Sequence, residues 1–449
     1  MRPREQNVCQ TCRTRKLGCD GKRPCCTQCS LRGRVCDWIT PAWTFVTPRE
    51  TTPVNSYALR HDYRSLCASR KSIIESITRE YIPREELSHI YPAATDAPRI
   101  CGAWVGVLST LAEGPSTRYD CVLSPAVTAL SSCIMSKSST QSVQDYSNAV
   151  EALRSNAQEL KVLDAEFAAA IMCLFLAEVM LPDSRFGLAM HINGVAQLFQ
   201  ASGPSMFKSG ALQSLFVGFR PLFMVQSVQS RKSAFMASKD WIDIPFSASP
   251  PSLMQQLINV TLVLPSLLER VDNLAELSIA PQNSEVSDLW QSFLNLDSRL
   301  EDWEESLHEQ SMWSQPLDSD SRPPLLEADI WFTDITMANF YMHIWAFQII
   351  CILELSHLAS VHTSTSWTLP KGPKTIQAAS RKICLSMNYL LQDEMKLFGP
   401  ASAMLPLQTA YKVFSEDKCK YTCELKYLEG IVDCLVKKGL KSTPDIVYA

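Results

Sequence analysis

Seven of the chain's 17 cysteines fall between positions 9 and 36, and their spacing defines a chemistry. Cys9 and Cys12 have two residues between them, and Cys19 follows after six more. Cys26, Cys29 and Cys36 repeat that pattern, each displaced by 17 residues from its counterpart. Two thiolates so spaced can reach one ion from a single turn of chain, at about 2.3 Å for zinc. Cys25 falls outside the repeat, because its counterpart is Val8. The opening MRPREQNVCQ holds no apolar run, so no secretory signal is read. A reducing compartment is therefore expected, where clustered thiols point to metal before disulfide.

Six thiolates exceed the four that one tetrahedral zinc takes. Either two are spare, or two zinc ions share the six, with two bridging sulfurs supplying the extra bonds. The first 40 residues hold nine Lys/Arg against three Asp/Glu, a net of +6, while the remainder carries 33 basic and 43 acidic side chains. Two zincs and six thiolates sum to about −2, so a loaded head stays strongly cationic. A basic head on an acidic body predicts a polyanionic partner. So small and polar a segment has no hydrophobic core, which makes metal binding its folding energy.

The run from Cys9 to Cys36, CQTCRTRKLGCDGKRPCCTQCSLRGRVC, resembles the fungal binuclear zinc cluster transcription factors. Arg13, the basic pair Arg15–Lys16, Cys19–Asp20, Pro24 and the second cysteine triplet all match that family's pattern. Gly18 departs from it, standing where another basic residue is common. The resemblance implies two zinc ions held by Cys9, Cys12, Cys19, Cys26, Cys29 and Cys36, with Cys9 and Cys26 bridging and Pro24 shaping the loop between the halves. It also implies a nuclear regulator of RNA polymerase II transcription that binds double-stranded DNA at CGG-like half-sites. Transcription machinery or coactivators would be its further partners. Seven cations lie among the ligands (Arg13, Arg15, Lys16, Lys22, Arg23, Arg32 and Arg34), with Asp20 the only acid between them. The alternative is a regulatory or adaptor protein whose zinc module binds protein and not DNA.

Cys12 to Cys19 is expected to form a short helix with its last turn tied to metal. Adjacent helical residues point about 100° apart, so Arg15 and Lys16 cannot both face one base. The resemblance gives the base contact to Lys16, through guanine acceptors in the major groove. Arg13, Arg15, Lys22 and Arg23 then contact phosphate, which positions without specifying. Three base pairs are too few for a genomic site when each mismatch costs only about 1–3 kcal/mol. A second module or a partner is therefore expected, a homodimer among the options. Leu59, Tyr63, Leu66, Ile73 and Ile77 form a heptad-like stripe interrupted by Arg70, short of a sustained coiled coil. Monomeric binding and dimerisation elsewhere both stay open.

The elements behind this head read as helical. The expected fold class is a small zinc-stabilised amino-terminal module followed by a large all-α domain. Residues 1–40 are the DNA-binding domain, 41–58, with Pro41, Pro48 and Pro53, a linker, and 59–449 the regulatory domain. A composition of 46% hydrophobic residues with only 15 glycines favours packed helices over turn-rich sheets. Tyr146, Val150, Leu153, Ala157 and Leu160 share one helix face, and 165–181 reads as a more apolar, central helix. Val286, Leu289, Phe293, Leu296, Leu300, Trp303 and Leu307 form a stripe read as core-facing in preference to a coiled coil. The texts MHINGVAQLFQASGP and FMASKDW, within 190–241, resemble the helical regulatory domain that often accompanies this zinc cluster. Asp297, Glu301, Asp302, Glu304, Glu305 and Glu309 surround Trp303 and read as a solvated face, with coactivator recruitment the alternative. The apolar stretches 167–177 and 344–353 fall short of the roughly eighteen residues of a membrane span, so no membrane partner is expected.

Catalytic readings find little support. Glu86/His89 and Glu354/His357 have the spacing used by di-iron carboxylate bundles, but such sites also need a Glu from each of two other helices. Dinucleotide, phosphate-loop, nucleophile-elbow and zinc-protease motifs are missing from the text. The ten cysteines outside the cluster are dispersed, Cys419 and Cys423 included, and read as buried or incidental thiols. No enzyme is expected.

Overall fold

The computed structural model describes residues 10–15, 17–19, 26–34, 36, 63–89, 99–113, 118–135, 139–157, 162–182, 187–274, 279–316, 328–361, 369 and 371–449. The chain divides into two compact units, Met1–Val46 and Thr47–Ala449. The linker expected at 41–58 lies outside the described residues. The smaller unit holds two short helices, α1 (Gln10–Thr14) and α2 (Thr27–Ser30). The first half of the larger unit runs through α3 (Tyr63–Tyr81), α4 (Gly106–Ala112), α5 (Ser124–Ile134), α6 (Ser139–Ala157), α7 (Ala165–Val179), α8 (Gly187–Ser202) and α9 (Gly210–Ser230). It continues through α10 (Lys239–Asp243), α11 (Leu253–Thr261), α12 (Leu264–Asp272) and α13 (Ile279–Ser311) to the strands β1 (Met312–Pro316) and β2 (Ala328–Phe332). The second half comprises α14 (Ile335–Val361), α15 (Pro373–Leu385), α16 (Met387–Leu390), α17 (Phe398–Ser402), α18 (Met404–Ser415), α19 (Thr422–Lys437) and α20 (Thr443–Val447). Among the described residues, the antiparallel β1–β2 pair, from Met312 opposite Phe332 to Pro316 opposite Ala328, is the one departure from an all-α body.

Two apolar helices organise this body. Asp164 starts α7 by accepting the Phe167 N–H at 2.8 Å, which satisfies one of the amides a helix leaves open at its start. The helix packs against α5, α6, α8 and α9. Its far end is closed by the last segment of the chain. The Ser442 hydroxyl donates to the carbonyl of Leu181 at 2.8 Å, and the Ser442 N–H donates to that of Val179 at 3.1 Å. The second core helix, α14, runs 27 residues and is long and apolar enough by length and composition to cross a membrane, unlike the stretch 344–353 taken alone. It is buried on all sides among α11, α13, α15, α18 and β2. A helix apolar all round is what the centre of a large helical domain requires.

The two helices are joined through α9, which packs on both α7 and α11. Pro221 lies inside α9 and has no N–H to give the carbonyl of Val217 one turn back. The Gln255 side-chain amide supplies the missing donor at 3.1 Å, and its oxygen accepts from the fully buried Arg220 at 2.7 Å. Arg220 also donates to the Asn259 side-chain oxygen at 2.5 Å, with its guanidinium 5.0 Å from the Phe246 ring centre. At the end of α9, Arg231 adopts a left-handed φ of 51° and pairs with Asp272 on α12 at 2.8 Å and Glu354 on α14 at 2.6 Å. Phe199, Phe207, Phe216, Phe219, Phe223 and Trp241 gather around α8 and α9, so the segment 190–241 is an aromatic-cored helical layer.

The Val286–Leu300 part of the long stripe is buried, with Trp303 edge-on to Phe340 at 5.0 Å. The acidic residues around it are not one solvated face. Lys371 bonds Asp297 at 2.8 Å and Glu301 at 2.9 Å. Glu304 accepts from the Trp345 indole at 2.7 Å and from Lys382 at 3.0 Å. On α3, Ile77 of the heptad-like stripe is buried, Ile73 is half-buried, and the helix packs on α4 and α5, so this end of the stripe faces the protein's own core. Arg70, which interrupts the stripe, pairs with Asp120 and lies 4.6 Å over the Tyr119 ring. Leu59 and Leu160 lie outside the described residues.

Candidate metal centre

The head is organised around sulfur. Among its described residues the buried side chains are Cys12, Cys26 and Cys29, each at most 1% exposed, with Cys19 and Cys36 packed against them. The Cys12 and Cys26 sulfurs are 3.7 Å apart, and those of Cys12 and Cys29 are 3.9 Å apart. A disulfide would hold two sulfurs at about 2.05 Å. A tetrahedral zinc with thiolates at about 2.3 Å separates its ligands by about 3.8 Å. The two edges that meet at Cys12 therefore have the length of a zinc–thiolate tetrahedron's, and among the described residues these three sulfurs are the one group of three or more candidate ligands.

The backbone prepares these sulfurs. Cys26 stands at the start of α2 in an extended conformation, and its sulfur accepts the N–H of Cys29 at 3.4 Å. The N–H of Cys26 in turn donates to the Cys36 sulfur at 3.3 Å. Such N–H donors favour the thiolate, which is the form that binds metal. Cys26 thus meets the Cys12 sulfur with its own sulfur and the Cys36 sulfur with its N–H, which links the two halves of the repeat.

The repeat extends to hydrogen bonding. Helix α1 begins at Gln10 and α2 at Thr27, positions that correspond under the repeat. The Leu17 N–H closes α1 on the carbonyl of Cys12 at 2.9 Å, and the Arg34 N–H closes α2 on that of Cys29 at 3.0 Å. In the second half, Gly33 makes the turn with φ 59°. This six-to-one closure with a left-handed glycine is a Schellman motif. It also corrects the expected helix over Cys12–Cys19: α1 ends at Thr14, and Cys19 reaches the cluster from beyond the turn.

Five of the six expected ligands are thereby gathered, while Cys9 lies outside the described residues. Arg15 is exposed in the turn after α1. Arg13 lies on α1 by its backbone, and its side chain falls outside the description. Lys16, Lys22, Arg23, Asp20, Pro24 and Cys25 lie outside it as well. The glutamates of the two Glu-x-x-His pairs are otherwise engaged. Glu86 pairs with Arg99 at 2.5 Å, and both oxygens of Glu354 accept from Arg231. Burial pushes the thiols of Cys101 and Cys133 up to about 11 and that of Cys384 to about 12, which leaves them inert. Cys121, Cys419, Cys423 and Cys434 are exposed, and of the two alternatives expected for these thiols they are not the buried kind.

Short stretches of three fungal proteins are similar to this chain. The C6 finger domain transcription factor hasF of Aspergillus fumigatus is 50% identical over 40 residues, 9% of this chain and 5% of the relative. The aspercryptin biosynthesis cluster-specific transcription regulator atnN of Emericella nidulans is 44% identical over 50 residues, 11% of this chain and 8% of the relative. The sorbicillinoid biosynthetic cluster transcription factor sor3 of Hypocrea jecorina is 53% identical over 32 residues, 7% of this chain and 5% of the relative. The chain thus matches only a small part of each relative's length. No family model and no solved structure matches. All three names describe transcription factors or regulators, and none describes an enzyme. The similar stretches are about as long as the cysteine-rich head, and the head has the sulfur cluster that such a finger requires. In that stretch the chain is similar to fungal transcription factors, one of which is named a C6 finger protein.

Proposed function

We propose that this protein is a nuclear, zinc-dependent transcription factor that binds double-stranded DNA through residues 1–40 and regulates RNA polymerase II. The convergence of Cys12, Cys26 and Cys29 at tetrahedral edge lengths, inside a head of net charge +6, carries the reading. Two zinc ions would be held by Cys9, Cys12, Cys19, Cys26, Cys29 and Cys36, with Cys9 and Cys26 shared. When bound, they supply a cross-link in place of a hydrophobic core. The cationic side chains then act on DNA. Lys16 reads guanine in a CGG-like half-site, and Arg13, Arg15, Lys22 and Arg23 hold phosphate. Residues 41–58 tether this head to a helical regulatory body, 59–449, whose layer at 190–241 resembles the domain that accompanies such clusters. A homodimer or a partner protein would extend the short half-site, and coactivators would engage the body.

The sulfur triangle favours a second metal reading, in which one ion sits on Cys12, Cys26 and Cys29. Elemental analysis of the intact protein separates the two, with two zinc atoms per chain expected and one excluding the shared arrangement. DNA binding is tested by titrating salt. Neutralising several phosphates makes affinity fall steeply, by about 0.9 log unit per phosphate for each log unit of salt. A flat response, or no binding at low salt, favours an adaptor whose zinc module contacts protein.

A further inference from the structure

The internal repeat relates the two halves of the head position by position, and it does not treat their cations alike. Under the displacement of 17 residues that relates Cys12 to Cys29, Arg13 corresponds to Ser30, Lys16 to Gly33, and Lys22 and Arg23 to Ile39 and Thr40. One assigned cation alone keeps its charge, since Arg15 corresponds to Arg32. The structure gives those two arginines the same setting. Each is exposed, lies just past a short helix that carries a cluster cysteine, and stands two residues before the N–H that closes that helix.

From this we infer that Arg32 is a second phosphate contact, related to Arg15 by the repeat, and that the second half of the head holds DNA without reading it. The inference rests on the reading of the head as a DNA-binding module. Its charge argument is simple. An exposed guanidinium beside a rigid, sulfur-anchored turn offers a fixed fork for a phosphate oxygen pair. The absence of a reader in this half is equally physical. The position equivalent to Lys16 is glycine, and it has the left-handed φ of 59° that closes α2. A side chain there would be strained, so the second half keeps the backbone turn and has no counterpart of Lys16 to reach a base edge. Phosphate contacts on both sides of the cluster would fix the orientation of the head and so aim Lys16.

The test uses the full-length, zinc-loaded protein and a DNA duplex obtained by selection from random sequence. Affinity is measured from about 50 to 200 mM salt for the wild type, Arg32→Ala and Arg32→Lys, with zinc content determined for each. Arg32→Ala is expected to lower the salt slope by about one, so that its deficit against wild type shrinks roughly threefold across that range. Its preference for the selected site over a scrambled duplex should stay at the wild-type ratio. Arg32→Lys should restore most of the slope with unchanged zinc. A steep wild-type slope that Arg32→Ala leaves untouched overturns the role of Arg32 alone, and so does a loss of site preference in that variant. A wild type without salt-dependent binding removes the DNA-binding reading and this one with it.

Discussion

Lys16 and Arg23 carry the same charge and are expected to fail differently. A residue that bonds base edges contributes about 1–3 kcal/mol of discrimination, whereas a phosphate contact contributes alike to every sequence. Lys16→Ala is therefore expected to narrow the gap between selected and scrambled duplexes by about tenfold or more. Arg23→Ala should weaken both equally and reduce the salt slope by about one. Competition binding on the two duplexes checks this, and equal behaviour of the two variants would contradict the assigned roles. Buried Arg220 poses a different residue-scale question, because two neutral amides and flanking rings hold it where, among the described residues, no carboxylate pairs with it. Burial lowers its guanidinium to about 9, which marks the strain of keeping a charge there.

Elements decide how that charge came to be buried. Pro221 opens the hydrogen-bond ladder of α9 at Val217, and Gln255 on α11 both mends the opening and receives Arg220. Gln255→Leu would strand a carbonyl and a guanidinium together inside the body. The expected loss is about 2–4 kcal/mol in urea unfolding, well beyond an ordinary core substitution of similar volume. A loss under about 0.5 kcal/mol would mean that Gln255 does not mend the α9 opening. Close approach elsewhere on α9 is equally specific. A Cβ added at Gly218 would meet the Trp104 ring at 2.8 Å, so Gly218→Ala should cost about 1–3 kcal/mol despite its better helix propensity. An unchanged or raised unfolding midpoint would show that the contact yields freely.

At the scale of the molecule, the head and the body draw stability from different sources, which predicts two separable responses. Removing zinc with a chelator should abolish DNA binding while leaving the helical circular dichroism of the body nearly intact. A body that melts with the head would refute that independence. The body should respond instead to pH. Burial holds His191 and His343 near 4, so both stay neutral when folded, and their contribution is lost as pH falls from 6.5 toward 4. Burial raises Glu178 from 4.5 to about 7, so its contribution runs the other way, present at low pH and lost as pH rises toward 7. Each shift is worth up to about 3 kcal/mol, and two histidines outweigh one carboxyl. Stability should therefore climb between about pH 4 and 6.5 and then level or dip slightly near 7. His343→Phe should flatten that climb and Glu178→Gln should steepen it, as read from unfolding midpoints across the range.

How much of this was legible in the text differs between the two units, for one reason. In the head, ligand spacing is local: two residues between thiols, six to the next, then the same again, and metal chemistry constrains the rest. The cysteine spacing, whose Cys12, Cys26 and Cys29 converge, could thus be read directly, as could the helical class of the body and its Val286–Leu300 core stripe. Partnerships between residues far apart could not. The acids around Trp303 read as solvated until Lys371 and Lys382 arrived from later helices to bind them. The heptad-like stripe before α4 left a coiled coil open until the chain's own body covered Ile77. Nothing near Pro221 in the sequence announces Gln255, because the carbonyl it satisfies belongs to another helix. Periodicity and ligand spacing are properties of a few turns of chain and are written in order, whereas the satisfaction of buried charge depends on which turns become neighbours, and only packing settles that.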